Sequence, residues 1–331
     1  ADVARYEAQE REDAMSAMEA AGYRWLRSRA VWGTIEPEPG RFDWTVWDEV
    51  VAGASRHNLK LLAVLDGSPS WARAVEDESN SLAPPREAKD FGAFAFAFAE
   101  RYGDRVDHYQ VWDEPNIAPH WGAREIDPAG YGRLLREGAI QVRAADPGAI
   151  IVAAALAPTI ETGGRNMSEV QFLDGLYDAK ASQWFHVVAA QPYDQGLPLG
   201  NAADQGQLNW GRIGLLREVM EAHGDGERAM WAVSFGVEGE TAGAMSVGEP
   251  GDPIGQAVEQ ARRDWPWLGP MFWAAWAVED VHGGFAVTRG GEPLQPAFDV
   301  LGELARAPVE AWPGVYSADH ESGRYEGGWR V

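Results

Sequence analysis

Hydrophobic positions along this chain recur at two spacings. Between 9 and 21 they return every three or four residues, with Met15, Met18 and Ala21 on one face and Gly22 as a stop, which predicts a helix. Residues 23–28 and 60–65 read as strands, and 44–57 reads as a helix behind the turn Glu38-Pro-Gly-Arg. Within 87–102 the run Phe-Ala-Phe-Ala-Phe has a strand's alternation. Phe91, Phe94, Phe98 and Tyr102 nevertheless form a longer stripe at helical spacing, so a helix is expected. Strands at 106–112, 149–155, 184–191, 229–234 and 270–276 then alternate with helices at 128–145, 168–179, 208–223, 253–264 and 293–306. With a short first strand at 2–6, this makes eight strand–helix units without an internal low-complexity linker.

Several predicted strands are continuous apolar runs, such as Ala149–Leu156, as expected of parallel strands covered on both faces. Eight such units over residues 1–307 predict an α/β fold, a (β/α)₈ barrel, as a single domain. A doubly wound open sheet is the alternative, but it calls for a glycine-rich phosphate loop after an early strand, and no such motif is present. Residues 308–331 are rich in Pro, Gly and aromatics and carry no helix signal; they are expected to begin a further β domain rather than to pack back on the barrel.

Composition narrows the chemistry. A net charge of −23 argues against nucleic acid as a partner, because binding it needs clustered Lys and Arg. With no Cys, thiol catalysis and zinc–thiolate sites are excluded, and the seven His have no metal-binding spacing, so no metal and no cofactor are expected. No apolar run reaches the roughly 18 residues of a membrane span. The chain starts at Ala1 without a signal-peptide pattern, as in a processed protein or an excised piece, and an extracellular or cell-surface location is expected. Sixteen Trp suit a site that stacks on sugar faces, or a large aromatic core.

In a barrel the chemistry gathers at the C-terminal strand ends. Those positions hold Arg27, Arg29, Trp32 and Glu36, then Asp66 with Gly67-Ser-Pro-Ser-Trp71, then Trp112, Asp113, Glu114 and Asn116. Later ends supply Gln191 and Tyr193, Ser234 with Glu238 and Glu240 beyond it, and Trp273 and Trp276 followed by Glu279, Asp280 and His282. Acids, amides and aromatics dominate, as expected for an oligo- or polysaccharide partner. For Trp71 and Trp112, stacking on a sugar and packing in the core stand as equal readings. Arg27 is either a substrate contact or a buried ion pair, and Asp66 either a site wall or a helix cap.

Three motifs in order, Ile35-Glu-Pro-Glu-Pro-Gly-Arg-Phe-Asp-Trp44, Ser68-Pro-Ser-Trp71-Ala and Trp112-Asp-Glu-Pro-Asn116, carry a resemblance. From about Ala14 to Phe298 the chain resembles the clan A (β/α)₈ retaining glycoside hydrolases, nearest the family 39 and family 5 types. The resemblance implies that Glu114 is the general acid/base and that a second Glu, about 5 Å away at the end of the seventh strand, attacks the anomeric carbon. It also implies that the residue before Glu114, usually Asn, binds the sugar 2-hydroxyl, that Tyr193 orients the nucleophile and that Arg27 lies beneath it.

The sequence departs from that pattern where it matters most. The clan's Trp-x-x-Glu-Phe-Gly reads Trp231-Ala-Val-Ser234-Phe-Gly236, so Ser234 occupies the nucleophile position. Asp113 replaces Asn, and Gln191 stands where a His often precedes Pro-Tyr. Adjacent carboxylates raise each other's pKa, so if no Arg or Lys stands nearby, one of Asp113 and Glu114 is expected to stay protonated near neutral pH. Glu238, Glu240, Glu279 and Asp280 are loop acids, each with a minor claim as a displaced nucleophile. The joint drift of Asp113, Gln191 and Val237 suggests natural divergence rather than one engineered change. Two functions follow: a glycosidase acting on a β-linked carbohydrate, or a catalytically inactive pseudo-glycosidase that binds polysaccharide.

Overall fold

The computed structural model describes residues 1–237, 252–280 and 282–307. Seven parallel strands form one curled sheet in sequential order. They are β1 (Trp25–Val31), β2 (Lys60–Asp66), β3 (His108–Val111), β4 (Ile150–Val152), β5 (Val187–Ala190), β6 (Ala229–Phe235) and β7 (Leu268–Trp273). The main helices are α1 (Ala8–Ala21), α2 (Thr45–Arg56), α3 (Ala88–Tyr102), α4 (Pro128–Ala145), α5 (Glu169–Asp178), α6 (Ile213–Ala222), α7 (Pro253–Asp264) and α8 (Ala297–Arg306). The alternation expected from the sequence is realised after the first predicted strand, and the fold is a (β/α)₈-type barrel.

The expected first strand at 2–6 is absent. Val3–Arg5 form a 3₁₀ turn, in which the Arg5 and Tyr6 amides donate to the carbonyls of Asp2 and Val3. Arg11 holds that turn by donating to Val3 O and Tyr6 O, so its carbonyls are committed locally and not to a ladder. No ladder joins β7 to β1 among the described residues. Rings of Trp25 and Phe272 meet across that side, with centroids 5.8 Å apart.

The core has two layers. Inside the barrel, Leu62, Val152, Val187, Trp231 and Phe272 pack with Trp25. Outside it, the helices cover the other strand faces, and the stripe Phe91, Phe94, Phe98 and Tyr102 of α3 is fully buried. Burying each such ring stabilises the fold by roughly 1.5–3 kcal/mol, more than local alternation can offset, so the helix prevails over the strand-like run. Gly138 of α4 lets that helix approach α3, because a Cβ there would stand 2.8 Å from the Phe91 ring. Gly22 ends α1 with φ 93°, a conformation that favours glycine.

His57, just after α2, ties that helix to α1. Its Nδ1 lies 2.9 Å from Glu19 and its Nε2 3.0 Å from Glu12. Burial works against its charge, but the two carboxylates outweigh burial and raise its pKa. A raised folded-state pKa stabilises the protein below the unfolded value of about 6.5 and loses that effect as pH rises through the folded value. The stability gap between wild type and His57→Gln in urea melts should therefore be widest at about pH 6 and shrink towards about pH 9. A gap independent of pH would refute this coupling.

Candidate active site

The turn after β3 is strained and tightly held. Trp112 and Glu114 both have positive φ, 69° and 48°, which costs about 1–3 kcal/mol per residue, and Pro115 further restricts Glu114. Backbone bonds to neighbouring strands keep the turn in place: Trp112 N donates to Leu65 O and Glu114 N to Ala155 O. Asn116 is fully buried and pins the far end, donating to Ala157 O and Met167 O and accepting from Ala157 N. Its amide is thus committed to the backbone. The Trp112 indole is buried against Phe91 and donates to His120 O, so Trp112 braces the turn.

The strain aims Glu114 into the barrel mouth. A cavity of about 280 Å³ runs from there down the β7–β1 side, lined by Arg27, Glu114, Ser234 and Trp273 among others. Gln191 Nε2 donates to Glu114 Oε1 at 3.1 Å, and His120 Nε2 lies 3.2 Å from Oε2. Burial and the neighbouring Asp113 carboxylate push the Glu114 pKa up, against the pull of His120, Gln191 and Arg27.

Asp113 goes the other way, and for a reason the sequence hid. Arg27 Nη2 donates to its Oδ1 at 2.7 Å, and Gln110 Nε2 does so at 2.8 Å. Burial disfavours its charge, but Arg27, Arg29 and His120 outweigh burial and hold the carboxyl below its ordinary value. Both arginines come from β1, so the condition for mutual pKa raising, no Arg or Lys nearby, is not met at Asp113. Two adjacent carboxyls thereby shift in opposite directions, Asp113 towards its ionised form and Glu114 towards its protonated form.

Across the cavity Ser234, at the end of β6, is 2.7 Å from the hydroxyl of Tyr193. Burial pushes the Tyr193 phenol well above its usual pKa, so that hydroxyl is neutral and supplies no base to the serine. The Tyr193 ring stacks on Phe285, centroids 5.4 Å apart, and lies against His282. Trp273 lines the cavity and donates its indole N–H to Phe285 O. The mostly buried Trp276 also lines the cavity, and its backbone N–H donates to Asp280.

The remaining candidates sit beside the mouth. Asp66 is buried and paired with Arg29 at 2.7 Å; burial raises its pKa, against Arg29. Trp32 is wholly buried, stacked on Phe94, and Trp71 meets it edge-on, half-buried. Glu36 accepts from the Trp32 indole and Gly40 N, which makes it part of the turn. Glu279 is exposed, and Asp280 accepts from Tyr6, Trp276 and Ala277. Glu238 and Glu240 lie outside the described residues. Among the described residues, the other acids lining the cavity are Asp2, Asp113 and Asp280, and each is already engaged. No cluster of three or more His, Cys, Asp or Glu that could hold a metal occurs among them.

Sequence reading missed His120 and Gln110. His120 follows the Glu-Pro-Asn turn closely, but nothing in its spacing tells that a single-turn helix, Ala118–Trp121, swings it back onto Glu114.

The barrel has many solved counterparts in fold. A family 39 glycoside hydrolase from the gut symbiont Bacteroides cellulosilyticus WH2 superposes with a TM-score of 0.66 at 16% identity, covering 89% of this chain and 60% of that one. The two proteins share a fold. The GH39 enzyme from Xanthomonas axonopodis pv. citri gives 0.63 at 16% identity over 89% of this chain and 62% of its own. The family 1 β-glucosidase from Thermotoga maritima gives 0.62 at 14% identity over 90% and 86%. The chain thus spans about three fifths of the length of those two family 39 enzymes. No protein-family model matches it.

Proposed function

We propose that this barrel binds a β-linked oligo- or polysaccharide at its mouth and that Glu114 serves there as general acid. The observation that carries this reading is the split between adjacent carboxyls, Glu114 pushed towards its protonated form while Arg27 keeps Asp113 ionised. A protonated carboxyl facing a cavity can donate to a glycosidic oxygen. The ionised Asp113 is a pure acceptor on the same turn, suited to a sugar hydroxyl. Trp273, which lines the cavity, supplies an aromatic surface for a sugar ring.

Ser234 in place of a second carboxylate makes hydrolysis slow on this reading. The same residue supports a second one, a pseudo-glycosidase that binds polysaccharide without cleaving it. Glu114→Gln keeps the shape and removes the acid, so affinity for β-linked gluco-, manno- or xylo-oligosaccharides, titrated calorimetrically, should stay within a few-fold of wild type, while residual hydrolysis falls by about 10²-fold or more. Complete loss of binding in a folded variant would refute a cleft that binds independently of catalysis. No binding of any β-linked glycan by wild type would refute the proposal itself.

A further inference from the structure

We propose that His120 is a positioning residue for Glu114, the two side chains sharing a single proton across their contact at the cavity wall. The inference rests on the reading of Glu114 as the acid, but its physical basis is the ring's other nitrogen. His120 Nδ1 lies 3.1 Å from the backbone carbonyl of Asp113. A carbonyl only accepts, so Nδ1 carries the hydrogen. A neutral imidazole with Nδ1–H presents a lone pair at Nε2, and Nε2 faces Glu114 Oε2 at 3.2 Å. A carboxylate oxygen has no hydrogen to give either. The contact is attractive only when one proton lies between them, on the carboxyl or on the ring.

The surroundings place that proton. Gln191 donates to Glu114 Oε1, so the carboxyl hydrogen belongs on Oε2, towards the ring. The backbone bearing His120 is fixed by the Trp112 indole, which donates to His120 O at 3.0 Å, and by His120 N donating to Ile117 O. Glu114 is faced by Asp113 from its own turn, by Arg27 from β1, and by Gln191 and Tyr193 from beyond β5. His120 is faced by Asp113 and by Asp66 from the end of β2. At Glu114, burial and Asp113 favour the carboxylic acid, while His120, Gln191 and Arg27 favour the carboxylate. After Glu114 gives its proton to a leaving oxygen, the Glu114–His120 contact can take one proton back from solvent, on either partner, which restores the acid.

The test is a titration of the full chain, labelled in Glu and His side chains, by NMR. In wild type, His120 should show the Nδ1–H tautomer, and the Glu114 carboxyl carbon and the His120 ring should both report the same two steps. In His120→Gln the Glu114 curve should become a single step with its midpoint moved up, because the pull of His120 on that carboxyl is gone. A general acid must be protonated, so the high-pH limb of slow aryl β-glycoside hydrolysis should move up with it. A wild-type His120 with hydrogen only on Nε2 overturns the proposal even if the variant does not fold. So does a folded His120→Gln with an unchanged Glu114 titration, whatever its melting temperature. Coupled titration in a protein that binds no glycan would uphold the shared proton and discard the functional reading alone.

Discussion

Ser234→Glu is expected to raise aryl β-glycoside hydrolysis by on the order of 100-fold or more. Ser234 ends β6, lines the cavity that Glu114 faces, and contacts Tyr193 at 2.7 Å. Its hydroxyl has no base, since burial keeps the Tyr193 phenol protonated. An uncharged serine therefore offers little to an oxocarbenium-like centre. A Glu at this position would reach further into the cavity, accept the hydrogen bond of Tyr193 and supply the missing carboxylate. Nitrophenol release under single-turnover conditions measures the gain, and mass spectrometry should detect a glycosyl adduct on the variant alone. A fast wild-type enzyme that the substitution does not improve would sink the missing-nucleophile argument.

Arg212→Met should destabilise the fold by about 3–5 kcal/mol, visible as a lower urea midpoint and a lower melting temperature. Arg212 and Glu169 form an ion pair whose side chains are 4% and 5% exposed. Such a pair is costly to bury, but removing one partner leaves an uncompensated buried charge, and that is the larger penalty. Arg212 also donates to the carbonyls of Asp204, Gln205, Gln207 and Thr159. It thereby closes the segment between β5 and α6, which begins with Gln191 and Tyr193. The variant should also weaken glycan binding, because the segment bearing those two side chains loses its anchor. An unfolding midpoint within error of wild type would show that the carbonyl contacts contribute nothing.

How much of this was legible in the sequence depends on the range of the interaction concerned. The α3 stripe was readable because Phe91, Phe94, Phe98 and Tyr102 repeat at helical spacing and burial rewards that face. The strand at 2–6 was misread because a short segment does not reveal that Arg11 will take its carbonyls. The Trp112–Asn116 turn was recognisable as a motif. Its strain was not, since positive φ at Trp112 and Glu114 survives only through bonds to strands distant in sequence.

The sequence by itself determined the barrel class, the strand ends that hold Glu114 and Ser234, and the absence of a Glu at the end of the strand that carries Ser234. Those properties follow from periodicity and residue identity, which are local. Only the tertiary structure decided in which direction the pKa of each of two neighbouring carboxyls moves. Arg27 comes from β1 and settles on Asp113, while Gln191 and His120 converge on Glu114 from a different strand and a later turn. Protonation depends on burial and on charges within a few ångströms, and folding alone brings those groups together.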